Sequence, residues 1–129
     1  MLVTSIPQYI QGLTNAKLVL TTTDATVLYT APSGAESNSS VINSIIVHEH
    51  SNNSDTVRVF ITDINGNIFE MFDKTVAGHG TEELLTRDLV LQAGESISCQ
   101  AGTANRIHIV ASIQELIKTR ITTSALSQI

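Results

Sequence analysis

The sequence predicts an all-β fold, an antiparallel two-sheet sandwich of jelly-roll type with an extended arm at each end. Three observations carry this. Val, Ile and Thr dominate residues 16–115, the residue types that suit a pleated, half-buried surface. Turn residues recur at roughly eight- to twelve-residue intervals, the cadence of a sandwich or barrel. The dipeptide Asn65-Gly66 sits between two alternating apolar runs, the strongest short-range hairpin signal in the chain.

The elements follow in order. Residues 1–15, MLVTSIPQYIQGLTN, hold Leu2, Val3, Ile6, Tyr9, Ile10 and Leu13 without a clean period, and Pro7 and Gly12 interrupt any helix. The expectation is an N-terminal arm that lies on something apolar. Lys17 to Thr22 and Ala25 to Thr30 read as strands, and Ala31-Pro32-Ser33-Gly34 ends the second. Val41 to His50 carries Val41, Ile45 and Val47 on one face and Ile42 and Ile46 on the other. It therefore reads as a central strand covered on both sides.

Thr56 to Asp63 alternates, with Val57, Val59 and Ile61 inward, and a type I′ turn at Asn65-Gly66 should join it to residues 67–73. Gly78-His79-Gly80 is a loop. Short strands follow at Glu82 to Thr86 and Leu89 to Leu91, then Ser96 to Ala101, and finally Arg106 to Ile113 with Ile107, Ile109, Ala111 and Ile113 on one face. The domain division is thus 1–15, 16–115 and 116–129. The last segment, with Leu116, Ile117 and Ile121, reads as a helical turn, an added strand or a second arm.

Composition narrows the function. The charged fraction is 15%, with Ser, Thr and Asn filling polar positions. Such a surface costs less to desolvate against a partner than a charged one. The net charge is −5, and the seven cations are dispersed, so no basic face is available to displace counterions from nucleic acid. The single cysteine, Cys99, falls in a strand pattern with Ile97 and Ala101 and reads as a small buried residue. No charged, apolar leader opens the chain, so neither a signal peptide nor a membrane span is expected.

Candidate chemical sites are weak. His48 and His50 share a side of one strand, and His79 or His108 would have to complete a metal set, which needs three or four converging ligands. Asp63-Ile64-Asn65-Gly66-Asn67 mimics half a calcium loop, but Lys74 falls where the bidentate acid belongs. Glu82, Glu83 and Asp88 are candidate paired carboxylates without the aromatic platforms of a sugar cleft, since aromatics make up 4% of the chain and Trp is missing. No metal, cofactor or catalytic residue is assigned, and the chain is not expected to be an enzyme.

Four stretches resemble small β-sandwich virion accessory proteins of tailed bacteriophages: Val27–Gly34, Ser44–His48 with its Asn-rich turn, Leu89–Ile97, and Ala101–Ile109. Together they cover roughly residues 25–113. The resemblance implies a virion protein made in the host bacterial cytoplasm, foremost a capsid decoration or cement subunit. Such a subunit would bind the major capsid protein, as a homotrimer, through its β domain and arms, the arm residues being Leu2, Val3, Ile6, Tyr9, Ile10, Leu13, Leu116, Ile117 and Ile121. The alternatives are a tail, neck or baseplate adaptor or fibre-attachment protein, and a carbohydrate-binding module, against which the missing Trp argues. No nucleic acid or membrane partner is implied.

Overall fold

A computed structural model describes residues 8–34 and 37–118. It contains nine strands: β1 (Gln8–Val19), β2 (Thr26–Thr30), β3 (Ser37–Glu49), β4 (Asp55–Thr62), β5 (Ile68–Val76), β6 (Thr81–Glu83), β7 (Leu89–Gln92), β8 (Ser96–Ala101) and β9 (Ile107–Lys118). One sheet has the order β1-β9-β3-β6, with β7 also paired to β3, and the other has the order β2-β8-β4-β5. The chain switches sheets at most connections, and every pairing is antiparallel. This is the double Greek key of a jelly roll.

The core lies between the sheets. Alternation places Val57 and Val59 of β4, Ile97 and Cys99 of β8, and Ile107, Ile109, Ala111 and Ile113 of β9 inward, all essentially inaccessible. Each fully buried Val or Ile contributes roughly 1.5–3 kcal/mol against exposure. The alternation expected for Thr56–Asp63 and for Arg106–Ile113 is the one observed.

Three local expectations need revision. Val41–His50 is central, as expected, but not covered on both sides. A bulge between Ile42 and Ser44 shifts the register, so Ile42, Ile45, Val47 and Glu49 all face the core, while Ile46 is 41% exposed on the outer face. One extra residue in the strand makes a one-sided strand read as two-sided.

The Asn65-Gly66 turn is not type I′. Only Gly66 has positive φ, at 84°. The loop is Ile64-Asn65-Gly66, closed by Gly66 N–H to Asp63 O at 3.0 Å and Asp63 N–H to Asn67 O at 2.9 Å. That is a type I turn followed by a left-handed glycine, the three-residue hairpin alternative.

The arm boundary also moves. Gln8 to Asn15 is the first part of β1, paired with β9 from Lys118 to Ser112. Both long strands extend well past the ends that their apolar runs suggest. Backbone pairing between them satisfies groups that an isolated arm would leave to water. Residues 116–118 finish β9, and the rest of the C-terminal segment lies outside the described residues.

Candidate functional site

The residues proposed as partner-binding are distributed unevenly. Leu2, Val3, Ile6 and Ile121 lie outside the described residues. Tyr9 and Ile10 belong to β1, with their backbones opposite Ile117 and Leu116. Leu13, opposite Gln114, is 75% exposed, the most open of the large apolar side chains described. Leu116 is half-buried between Ile10 and Ser39 in the sheet.

The sheet pairing does gather three histidines. His48 and His108 are directly opposite on β3 and β9, and their rings meet edge-on at 6.4 Å. His50 stacks on His108 at 5.2 Å. The His48 ring nitrogen Nδ1 lies 2.8 Å from Thr81 Oγ1. Among the described residues no three His, Cys, Asp or Glu side chains converge in a way that would hold a metal ion. His79 lies in the adjoining turn, at φ 56°, with its N–H bonded to Ser51 O at 2.8 Å.

The acidic candidates serve the backbone. Asp63 Oδ1 accepts from the N–H groups of Asn65 and Asn67, both at 2.9 Å, and Oδ2 accepts from Asn67 Nδ2 at 3.0 Å. These bonds, the Asn67 side chain first, hold the Asp63 carboxyl below the ordinary carboxylate range. The half-calcium-loop pattern is therefore a turn cap. Glu83 bonds the Ser44 hydroxyl and accepts from Ile45 N–H at 2.8 Å. Glu82 pairs with Lys74 at 3.9 Å, and Asp88 accepts from Asn43 at 3.2 Å. Cys99 is fully buried, and burial pushes its thiol up to about 12.

Two polar devices escaped the sequence reading. Glu49 is buried at 0% exposure; its Oε1 accepts from Ser51 N–H at 2.7 Å and Ser51 Oγ at 2.6 Å, while Oε2 has no partner. Its place in the inward series Ile45, Val47, Glu49 was the available signal. At the other end of the sandwich, Tyr29 of β2 reaches across to the opposite sheet. Its hydroxyl lies 2.8 Å from Ser40 Oγ and donates to Glu115 at 2.5 Å. Burial, then the bond to Glu115, raises the phenol to about 12.

Cavities offer little for a small molecule. Two open clefts of about 430 Å³ indent the surface, one lined by polar groups including Thr56, Arg58, Asp73 and Gln100. The more distinctive surfaces are apolar. On the outer face of the first sheet, Val110 and Ile46 are cross-strand partners, 38% and 41% exposed, and Val19 stands beside His108 at 44%. On the β4–β5 hairpin, Ile64, Ile68, Phe69 and Met71 are 71%, 68%, 52% and 41% exposed. Neither surface was anticipated, because strand alternation alone does not say which sheet face is left uncovered.

Fold and site together define a jelly-roll sandwich that exposes apolar side chains on its outer faces. No protein-family model matches the sequence, and no curated protein matches it either. Solved structures do share the fold. A chain in the acid-stable capsid structure of Helicobacter pylori bacteriophage KHP30 aligns at TM-score 0.58 and 11% identity, over 88% of this chain and 98% of that one. A chain of the disulfide-linked pili of Bacillus endospore appendages aligns at TM-score 0.53 and 9% identity, over 90% of each. The likeness is one of fold.

Proposed function

We propose that this chain is a structural subunit of a virion, a decoration or cement protein that binds the major capsid protein from outside and catalyses nothing. The observation that carries the reading is exposed apolar surface on a rigid sandwich. Side chains such as Ile46, Val110, Ile68 and Phe69 are held open to water by strands that a core of Val and Ile fixes in place. Monomeric proteins seldom leave such surface uncovered, and it marks sites of association. Support also comes from the phage capsid likeness, which spans nearly the whole of a chain about as short as this one. The apolar residues near each terminus add contacts to those of the body, and linked contacts raise avidity without one large interface.

A role in the tail, neck or baseplate is the second reading, and the sequence resemblance to accessory virion proteins suits it as well. The test is a phage deleted for the gene. Heads that assemble and fill but lose DNA on mild heating, with stability restored by added protein, fit a cement subunit. Tailless particles or particles unable to adsorb would instead fit the tail reading.

A further inference from the structure

The capsid reading uses exposed side chains of β5 but not its free backbone edge. β5 is the last strand of its sheet, hydrogen-bonded to β4 on one side. Its other side faces no strand among the described residues. Natural edges are usually short or studded with inward charge. This one runs nine residues and is apolar on both faces at its hairpin end. Phe69, opposite Ile61, points to the core side but is 52% exposed, so the sandwich is open there. Ile68, opposite Thr62, points outward and lines an apolar cavity of about 150 Å³ with Ala25, Phe60 and Ser98.

We propose that residues 1–7 of a second copy of this chain add as a strand to the free edge of β5, linking subunits head to tail. The segment is Met-Leu-Val-Thr-Ser-Ile-Pro. As a strand it places Leu2 and Ile6 on one face and Val3 on the other, so both apolar sides of β5 gain a partner. It contains no charged side chain to bury, and its proline stands last, where it ends the pairing without removing an internal ladder donor.

Geometry selects a second copy over the chain's own arm. The N-terminal segment joins at Gln8 on β1, which lies over β2, while β5 lies over β3, so the two sit at opposite margins of the sandwich. Crossing three strand spacings of about 4.8 Å and one sheet gap of about 10 Å uses roughly 17 Å. Seven extended residues span at most about 24 Å. About two residues would remain to pair, too few to lay Leu2, Val3 and Ile6 along the edge. A neighbour whose β1 margin abuts this β5 margin has no such crossing to make. The contact is heterologous, so repetition closes a ring or extends a filament.

The test uses the isolated protein, so its outcome is separate from capsid binding. Sedimentation velocity is run on the full chain, on a chain lacking residues 1–7, and on F69K. The full chain self-associates, and each variant keeps its circular dichroism and cooperative melting but associates at least about 100-fold more weakly. Mixing the two variants, one with an intact edge and the other with an intact arm, restores a one-to-one complex. A monomeric full chain, undiminished association without residues 1–7, or two folded variants that do not complement would each overturn the proposal. A second measurement does not depend on F69K folding. The full chain carrying both S5C and E70C is treated with a short bis-maleimide, Cys99 being buried. Cross-links between chains support the proposal; cross-links confined to single chains place the arm on its own edge and refute it.

Discussion

Replacing Gly78 with alanine should be among the most damaging single-methyl additions in this fold. A Cβ there would lie 2.2 Å from the Asn52 carbonyl oxygen, 2.3 Å from its carbon and 2.8 Å from Asn53 N. All three atoms are backbone, so no side chain can swing aside; the two loops must separate. Their separation breaks the His79 N–H to Ser51 O hydrogen bond of 2.8 Å. It also pulls on Ser51, whose N–H and hydroxyl are the two donors to the buried Glu49 carboxylate. Overpacking costs about 1–3 kcal/mol, and one lost hydrogen bond adds about 0.5–1.5 kcal/mol. A loss of about 2–4 kcal/mol lowers the melting temperature of a domain this size by roughly 10 °C. Gly12→Ala is the control, because nothing lies within 4 Å of its Cβ position. Urea denaturation of both variants alongside the parent is the assay. A Gly78→Ala midpoint equal to the parent's would refute the close packing of the 51–53 and 77–80 loops.

Two further outcomes follow from the same physical reasoning. Gly66→Val meets open space but at φ 84°, so its cost is conformational strain alone, at least about 1 kcal/mol by urea midpoint. Tyr29→Phe strips Glu115 and Ser40 of their shared partner and should cost about 1–3 kcal/mol. In the parent, the Tyr29 phenol is raised from 10.0 to about 12 in the fold, so its stabilisation is complete below pH 10 and is lost as pH rises toward 12. Absorbance titration of the parent should show one phenol ionising late, and Tyr29→Phe should remove that step.

Much of the fold was legible because a half-buried strand writes its inner face at every second position. Val57-Val59-Ile61 and Ile107-Ile109-Ala111-Ile113 declare their strands and the side that faces the core. What alternation cannot show is a bulge. The extra residue near Asn43 puts Ile42 and Ile45 on one face, and the same letters read without it suggest a strand covered on both sides. Nor does it show where a long strand stops. β1 and β9 pair along Gln8–Val19 and Ile107–Lys118, and the register of each is set by the other, far away in sequence. The hairpin was legible at Asn65-Gly66, but the turn type depended on Asp63, whose carboxylate bonds Asn65 and Asn67 and closes a three-residue loop. Of the site, the sequence offered the apolar character of the termini and the pairing of His48 with His50. It could not reveal the stacking of His50 on His108, which joins strands distant in the chain, or the open edge at Phe69, which depends on β5 being last in its sheet.

The central claim is that this sandwich is built to be covered by another virion protein. Its most direct test is co-sedimentation of the purified chain with heads assembled without it, for the full chain and for one lacking residues 1–7. The account predicts saturable binding of the full chain at a fixed number per head, and clearly weaker binding of the shortened chain. A full chain that stays in the supernatant at concentrations where it is folded would contradict the account.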